Sequence, residues 1–380
     1  MTRRSHQSTS WRVRAPTGSG TNIFVATSGS DSSGAGTFAS PYQSIAKAHS
    51  VAVAGSVVHV APGNYVTGEI DITTAGTASN RITYWSTTLW GAVLIGGAAT
   101  GSNNAAVYIG ASYIDFMGFQ VDGTLATGAN WWRIGIMTEA TCVNSTVQYC
   151  KVHDILRNAT DYASADTGSG GAGILADNFY GNASGVLVNG NIVYNIGTDA
   201  GVSSEIQGIY MVCPGTYSNN LVYNVAACGM QAWHGAISIN VLNNTIDGVR
   251  DYGIVVGSGD SGATGSTGDF FNVFNNVVSN SYGSILETGT TGVHNVYTNN
   301  ICFNSALGGH SNTPVLQNGL ATTGTLTTDP LYVNSGARNY LLAAGSPARV
   351  SGTVGPPVVT TDITGKVRSG TPDRGAYQVS

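Results

Sequence analysis

The sequence predicts an all-β protein, a right-handed parallel β-helix of about ten coils with a short N-terminal capping helix. Asn pairs precede short apolar strands, and the first residues of these pairs (Asn219, Asn243, Asn275, Asn299) are spaced by 24, 32 and 24 residues. Between them a second series of short strands opens on a glycine, at 208, 229, 253 and 283. Two interleaved repeats with a period of about 20–30 residues are typical of a solenoid.

Composition agrees with a repeat fold. A single globular core usually divides beyond roughly 250–300 residues, whereas the coils of a solenoid pack only on their neighbours. The 380 residues include 52 Gly but only 10 Pro, with 42% hydrophobic and 9% charged residues, which disfavours disorder. A net charge of −5 without a basic run excludes a protein that wraps nucleic acid, and no apolar stretch predicts a membrane span.

The chain divides into a leader and one domain. Residues 1–21 are polar and basic, lack the apolar region of a signal peptide, and are interpreted as an added or disordered leader. Residues 22–380 form a single β-helix domain, in which a short helix within residues 40–55 covers the first coil. The two Gly-opened strands at 135 and 173 continue the repeat upstream, with longer insertions. From residue 329 onward the period breaks, which predicts a capping segment packed on the solenoid.

Five cysteines form no CxxC pair and no His-paired metal spacing. They are interpreted mainly as buried strand residues. A disulfide between Cys213 and Cys228 of successive coils is an alternative, and the odd number of cysteines leaves at least one free thiol.

Three segments resemble bacterial pectate-lyase-like β-helix proteins. FVATSGSDSSGAGTFASPYQSIAKA followed by GSVVHVAPGNY resembles their opening, the alternating strands resemble their core, and DPLYVN, AGSPAR and PDRGAYQ resemble their ending. The resemblance covers residues 22–380. It implies a secreted or cell-surface monomer that acts on a polysaccharide without an organic cofactor. That superfamily includes lyases, hydrolases, epimerases and phage depolymerases, so fold alone leaves the reaction open.

No catalytic residue can be assigned from the resemblance. The sequence lacks NTDG, a paired DD before the next strand, GHG and WIDH. Candidate residues are therefore predicted from strand alternation, which places every second side chain outward. Counting from each marker glycine gives one outward row of Met137, Leu175, Tyr210, Gln231, Val255 and Ile285, and a second of Glu139, Asp177, Val212, Trp233, Gly257 and Glu287. Such rows would line a groove for an extended sugar chain.

Two insertions beside the predicted groove concentrate acidic residues. The first carries Lys151, His153, Asp154, Arg157, Asp161 and Asp166, and the second carries Asp199 and Glu205. Long loops on a rigid scaffold often carry functional sites. Asp154, Asp161 and Asp166 are predicted ligands of a possible Ca²⁺, with Asp177 and Glu205 as further oxygen donors.

Aromatic and polar residues complete the predicted groove. Trp233 can stack on a pyranose ring, with Gln231, Glu139 and Asp251 as further substrate contacts and Trp132 as the far wall. The candidates for proton transfer or substrate charge are His153, His234, Tyr210 and Arg250.

The preferred reaction is β-elimination on an acidic, uronate-containing polysaccharide, which needs a base and a cation to neutralise the uronate. The alternative is glycoside hydrolysis by two carboxyl groups, Asp177 with Glu205 or Asp166. A second alternative is a surface β-helix that only binds glycans.

Overall fold

The computed structural model describes residues 20–97, 103–126, 131–156, 170–179, 181–197, 205–259, 267–306 and 311–379. These residues are almost entirely strands and turns. The elements are β1 (Asn22–Val25), α1 (Ile45–His49), β2 (Val57–Val60), β3 (Gly63–Val66), β4 (Ile70–Ile72), β5 (Ile82–Ser86), β6 (Ala92–Ile95), β7 (Ala105–Ile109), β8 (Ile114–Met117), β9 (Gln120–Asp122), β10 (Ile134–Thr138), β11 (Thr146–Gln148), β12 (Lys151–His153), β13 (Gly171–Ala176), β14 (Val186–Asn189), β15 (Ile192–Ile196), β16 (Ile206–Met211), β17 (Gly215–Ser218), β18 (Leu221–Val225), β19 (Cys228–Gln231), β20 (Ile239–Leu242), β21 (Thr245–Asp247), β22 (Tyr252–Ser258), β23 (Asn272–Phe274), β24 (Val277–Ser279), β25 (Gly283–Gly289), β26 (Val296–Thr298), β27 (Ile301–Phe303), β28 (Thr322–Thr323), β29 (Tyr332–Asn334) and β30 (Asn339–Leu342).

Three parallel sheets run the length of the solenoid, and each coil visits them in turn. The first sheet has the order β1-β2-β5-β8-β11-β14-β17-β20-β23-β26-β28. The second sheet runs β3-β6-β9-β12-β15-β18-β21-β24-β27, and the third runs β4-β7-β10-β13-β16-β19-β22-β25. The predicted parallel β-helix is confirmed, because each strand from β2 to β24 pairs in parallel with the strand three positions further along the chain.

The core consists of stacked apolar side chains inside the coils. In the third sheet each inward residue lies beside its equivalent in the next coil, as Ile174, Ile209, Met230 and Ile254 do. All four are completely buried. All five cysteines are free and buried in the structure, so the Cys213–Cys228 disulfide considered from the sequence does not form.

The Asn pairs mark the turn between the first and second sheets, and their two members have different tasks. The first Asn of each pair has a left-handed backbone, with φ between 53° and 59° at positions 219, 243, 275 and 299. The second Asn forms a buried amide ladder in which each side chain bonds to the next at 3.0 Å, from 191 through 220, 244 and 276 to 300. These five side chains therefore form a continuous Asn ladder along the solenoid.

The marker glycines lie where the third sheet bends against the second. A Cβ at Gly173 or Gly208 would overlap Val193 or Val222 of the second sheet. Because the glycine and the next residue both face inward there, the residue before each glycine faces outward.

The two ends are covered differently. Helix α1, capped by the Ser44 side chain, packs on β1, β2 and β4, as the sequence predicts for the front. The C-terminal segment runs back along the Asn turns: Asn219, Asn243 and Asn275 donate to the carbonyls of Thr361, Asp373 and Thr353. We call residues 346–379 the strap. Within the described part of the chain, the structure has no helix of a length and hydrophobicity that could cross a membrane.

Candidate active site

The outward face of the third sheet holds a cleft of about 690 Å³. It extends along β10, β13, β16, β19, β22 and β25, across the coils, as a bound polymer would. Its lining residues are Arg133, Ile134, Gly170, Gly171, Ala172, Leu175, Glu205, Gln207, Tyr210, Cys228, Gln231, Trp233, His234, Asp251, Tyr252, Val255, Leu286 and Thr288. Six of the residues predicted from the sequence meet here: Glu205, Tyr210, Gln231, Trp233, His234 and Asp251.

The floor of the cleft is formed by two rows of side chains. One is the predicted row, in which Leu175, Tyr210 and Gln231 lie at paired positions of β13, β16 and β19. The other row precedes the marker glycines and includes Gln207, Cys228 and Tyr252. Sequence reasoning missed this row, although its signal was present in the residue before each glycine.

The floor is rich in neutral hydrogen-bonding groups. The Gln207 amide donates to Gln231 Oε1 at 3.0 Å, which fixes both side chains. Trp233, partly exposed, packs its ring on the backbone of Gly257 and Gly259, where a Cβ would collide with it. An indole held in this way offers a flat apolar surface to a ligand.

Two carboxylates lie on neighbouring strands beside the cleft, next to the residues that line it. Glu139 and Asp177 follow the paired strands β10 and β13, and the Asp177 amide donates to the Thr138 carbonyl at 3.0 Å. Their backbones are thus about 4.8 Å apart, the spacing of neighbouring strands. Sequence reasoning assigned Glu139 to substrate binding and did not pair it with Asp177.

The two carboxyl groups have different environments. Burial raises the pKa of Asp177, the Glu139 charge raises it further, and the nearby His234 and backbone amides oppose the rise. Glu139 Oε2 accepts a hydrogen bond of 2.5 Å from the Tyr108 hydroxyl. Asp177 is therefore the group biased towards the protonated form, and Glu139 is the group held as an acceptor.

His234 connects the carboxylates to the cleft. Its backbone is left-handed, with φ of 52°. Its ring lies 4.3 Å from that of Phe179 and 5.8 Å from that of Tyr210. This places an imidazole between Phe179 and the floor residue Tyr210, where its charge also acts on the Asp177 carboxyl group.

Charges in the cleft are mainly negative. Arg133 is the only permanent cation among the described lining residues; its Nε donates to the Gly170 carbonyl and Glu205 lies near it. Burial lowers the pKa of Arg133, and the Glu205 charge opposes this. Asp251 accepts a long hydrogen bond of 3.7 Å from the Cys228 thiol. Arg250, the predicted second cation, is exposed beside Asp251.

Several predicted positions are wrong. Trp132 is 1% exposed and its indole donates to the Gly68 carbonyl, so it is a core residue and not a wall of the groove. Ile285 and Glu287 are 0% and 2% exposed. In that coil Ser284, and not Gly283, lies opposite Gly253, so the outward residues are Leu286 and Thr288. Val212, on the second predicted row, is also completely buried.

His153 and Asp154 do not belong to the cleft. The segment KVH is β12 of the second sheet, paired with β9 and β15, so it faces another side of the solenoid. Asp154 therefore lies on a different sheet from the strand that leads to Asp177 and does not share a site with Asp177 and Glu205. Asp161 and Asp166, the other two predicted metal ligands, lie outside the described residues, as do Arg157 and Asp199.

Comparisons with known proteins agree with this architecture. A family described as a protein of unknown function, DUF1565, matches residues 27–70. No curated protein matches the sequence.

Solved structures are similar over most of the chain. The pectate lyase Pel9A superposes with a TM-score of 0.62 at 15% identity, covering 94% of this chain and 96% of that one. A glycoside hydrolase gives 0.50 at 9% identity, covering 85% and 99%. An alginate lyase from Paenibacillus sp. str. FPU-7 gives 0.41 at 17% identity, covering 74% and 92%. The chain thus shares its right-handed parallel β-helix fold with the pectate lyase Pel9A.

Proposed function

We propose that this protein is a glycoside hydrolase that binds an extended, uncharged polysaccharide in the cleft of the third sheet. The observation that carries the proposal is the pair formed by Glu139 and Asp177 on adjacent strands, one hydrogen-bonded as an acceptor and the other with a raised pKa. Two carboxyl groups in different environments are what glycosidic hydrolysis requires.

The composition of the cleft supports an uncharged substrate. Gln207, Gln231, Tyr210 and Tyr252 offer amides and hydroxyls to sugar hydroxyl groups, and Trp233 offers a stacking surface. Two acidic residues, Glu205 and Asp251, line the cleft with a single arginine, and the Glu139 carboxylate lies beside it. Like charges repel at short range, so this surface disfavours a polyuronate more than a neutral glycan.

The two carboxyl groups divide the reaction between them. Asp177 donates its proton to the glycosidic oxygen, and the bond from that oxygen to the anomeric carbon breaks. Glu139 either removes a proton from a water that attacks the anomeric carbon, or attacks that carbon itself to form a glycosyl ester, which water then hydrolyses with Asp177 as the base. The hydroxyl of Tyr108 holds the Glu139 carboxylate in place.

The test measures new reducing ends released from a panel of neutral polysaccharides, including xylan, mannan and β-glucan. We expect Asp177→Asn and Glu139→Gln each to lower the rate by about 10²–10⁴-fold, the usual contribution of acid–base groups. The control is Asp329→Asn, because Asp329 bonds only to the Leu331 amide in the C-terminal region, a bond that Asn Oδ1 can keep. Wild-type rates in both site variants would overturn the proposal.

A second candidate is β-elimination on a uronan, favoured by the similarity to a pectate lyase at a TM-score of 0.62. In that case His234 or Tyr210 would remove the proton, and a bound cation such as Ca²⁺ would offset the negative charge of the cleft. Polygalacturonate and alginate are the substrates to assay. New ultraviolet absorbance that EDTA abolishes would favour this reaction, whereas binding without any cleavage would indicate a glycan-binding protein.

A further inference from the structure

We propose that Asp122, His153 and Asp154 form a binding site for a divalent transition metal, with Zn²⁺ as the first choice. The site lies on the outer face of the second sheet and is separate from the cleft. It goes beyond the proposed function and does not depend on it.

Strand register brings the three residues together. His153 of β12 lies directly opposite Asp122 of β9, and Asp154 follows at the turn with a left-handed backbone, φ 56°. His153 Nδ1 lies 2.7 Å from Asp154 Oδ2 and 3.9 Å from Asp122 Oδ1. One ligand atom from each residue lies within 4.8 Å of the others. Ligands about 2.0–2.2 Å from a tetrahedral zinc ion lie about 3.3 Å apart, so small side-chain rotations would suffice.

The donor set selects the class of metal. Oxygen-only ligands suit Ca²⁺ and Mg²⁺, whereas an imidazole nitrogen with carboxylates suits Zn²⁺ and other first-row ions. The His153 side chain is 8% exposed, whereas those of Asp122 and Asp154 are 26% and 25% exposed. The nitrogen is therefore held by the fold, whereas the two carboxylates reach the surface, where water can complete the coordination of an ion. Asp122 Oδ1 also accepts hydrogen bonds from the amide and the hydroxyl of Thr124, which fix its position.

Neighbouring side chains orient these ligands. The Gln120 amide lies 3.0 Å from His153 Nε2, and its oxygen can accept the Nε2 proton after a 180° turn of the amide group, leaving Nδ1 free to ligate. The His153 ring stacks on Tyr194 at 4.8 Å. Asn195 donates to Asp154 Oδ1 at 3.1 Å, and Asp154 Oδ2 lies 2.7 Å from His153 Nδ1, a contact that a shared metal ion would replace.

Another carboxylate on the outer face of the second sheet has a different set of hydrogen-bond partners. Asp247 receives three neutral donors, Ser279 Oγ, Asn280 Nδ2 and Tyr340 OH, at 2.8, 2.8 and 2.9 Å. Asp247 is buried beneath the β29–β30 hairpin, whereas Asp122 and Asp154 are partly exposed and face an imidazole. A bound ion would connect β9 to β12, which belong to neighbouring coils. It would therefore stabilise the folded solenoid.

In the experiment, chelator-treated protein is titrated with ZnCl₂ in a calorimeter and with CoCl₂ while visible absorption is recorded. Co²⁺ is used because the absorption spectrum of a tetrahedral Co²⁺ ion depends on its ligands. We expect one ion per chain, and a Tm higher by about 3 °C when free Zn²⁺ is 100 times the dissociation constant. His153→Phe should abolish both, because it keeps the stack on Tyr194 but removes both nitrogens. Asp122→Asn combined with Asp154→Asn should weaken binding at least tenfold.

The control is His59→Phe. His59 is likewise partly buried and stacked, on Phe24 at 4.7 Å, but its hydrogen-bond partner is the neutral Asn22. The His59→Phe variant should bind Zn²⁺ with the affinity of the wild type. Absence of a Zn²⁺ signal in the wild type, or equal binding by His153→Phe, would overturn the site. Because the readout is binding and Tm, neither result bears on the carboxylate pair in the cleft.

Discussion

The turn that carries the Asn pairs and the sheet that carries the cleft repeat along the same axis, but they treat polar groups in opposite ways. In the turn, each ladder amide is buried and bonded within the protein: Asn244 accepts from Asn220 and donates to Tyr217 and Asn276. In the cleft, Gln231, Trp233 and Tyr210 are partly exposed and face solvent.

The difference follows from what covers each surface. The strap lies over the Asn turns and accepts hydrogen bonds from the first Asn of three pairs, whereas the described residues leave the cleft of the third sheet open above its floor. One repeat thus provides a sealed side that stabilises the solenoid and an open side on which side chains can vary. Mutations should separate these two roles.

The largest effect is expected in the ladder. Asn244→Ala removes four side-chain hydrogen bonds and leaves buried donors and acceptors of neighbouring coils unpaired. We expect the free energy of unfolding to fall by about 3 kcal/mol, measured by urea denaturation. Asn240→Ala, on the outer face of the first sheet, serves as the control and should change it by less than about 0.5 kcal/mol. Equal losses in both variants would contradict the ladder's special role.

A somewhat smaller effect is expected beneath the cleft. Gly208→Ala places a methyl group against Val222 and should cost about 2 kcal/mol through overpacking. Val222→Ala in the same chain should recover part of that loss, which a double-mutant cycle measures. Strictly additive losses would mean that the glycine is required for another reason.

In the open cleft, the expected effect is on the ligand and not on the fold. Trp233→Ala should weaken binding of a substrate oligosaccharide about tenfold, because a stacking surface worth roughly 1.4 kcal/mol is lost. Trp85→Ala removes a partly buried tryptophan from the first sheet and should leave binding unchanged. Calorimetry with both variants tests this, and an effect of equal size in Trp85→Ala would count against the cleft.

The smallest effect concerns the pH dependence of stability. Burial raises the pKa of Asp177 above its ordinary value of 3.8, so its contribution is fully present below pH 3.8 and is lost as the pH rises through the raised pKa. Asp177→Asn should therefore gain Tm relative to the wild type between pH 3 and pH 7.

For Asp269 the expected pH dependence of stability has the opposite sign. Burial acts to raise the pKa of Asp269, but hydrogen bonds from His294 and the Phe270 amide outweigh burial and lower this pKa. Asp269→Asn should therefore lose Tm relative to the wild type as the pH rises over the acidic range. The same trend in both variants would show that the environment of Asp177 is not as described.

The repeat could be predicted from the sequence because its marks have local physical causes. Gly208 is required by a close contact and Asn219 by a left-handed backbone, so both remain visible without any knowledge of neighbouring coils. Counting from the glycines placed Tyr210, Gln231 and Trp233 correctly on the cleft.

The same counting failed in the last coil of the third sheet, where the glycine lies one residue away from the usual position. Ser284 replaces glycine at the bend of the last coil, so counting from Gly283 was displaced by one residue at Ile285 and Glu287. Partners across strands were not visible either. Glu139 and Asp177 are 38 residues apart, and only the register of β10 with β13 makes them neighbours.

The strap has a consequence for the kinetics of folding and unfolding. A linear array of coils ordinarily frays from its ends, since each coil depends only on its neighbours. Here Thr361 contacts Asn219, 142 residues earlier, and Asp373 contacts Asn243, 130 residues earlier. The last part of the chain therefore docks only after the middle coils exist, and those coils cannot open without releasing it. Contacts so distant in sequence slow folding, and the same closure gives the native solenoid a long lifetime against unfolding.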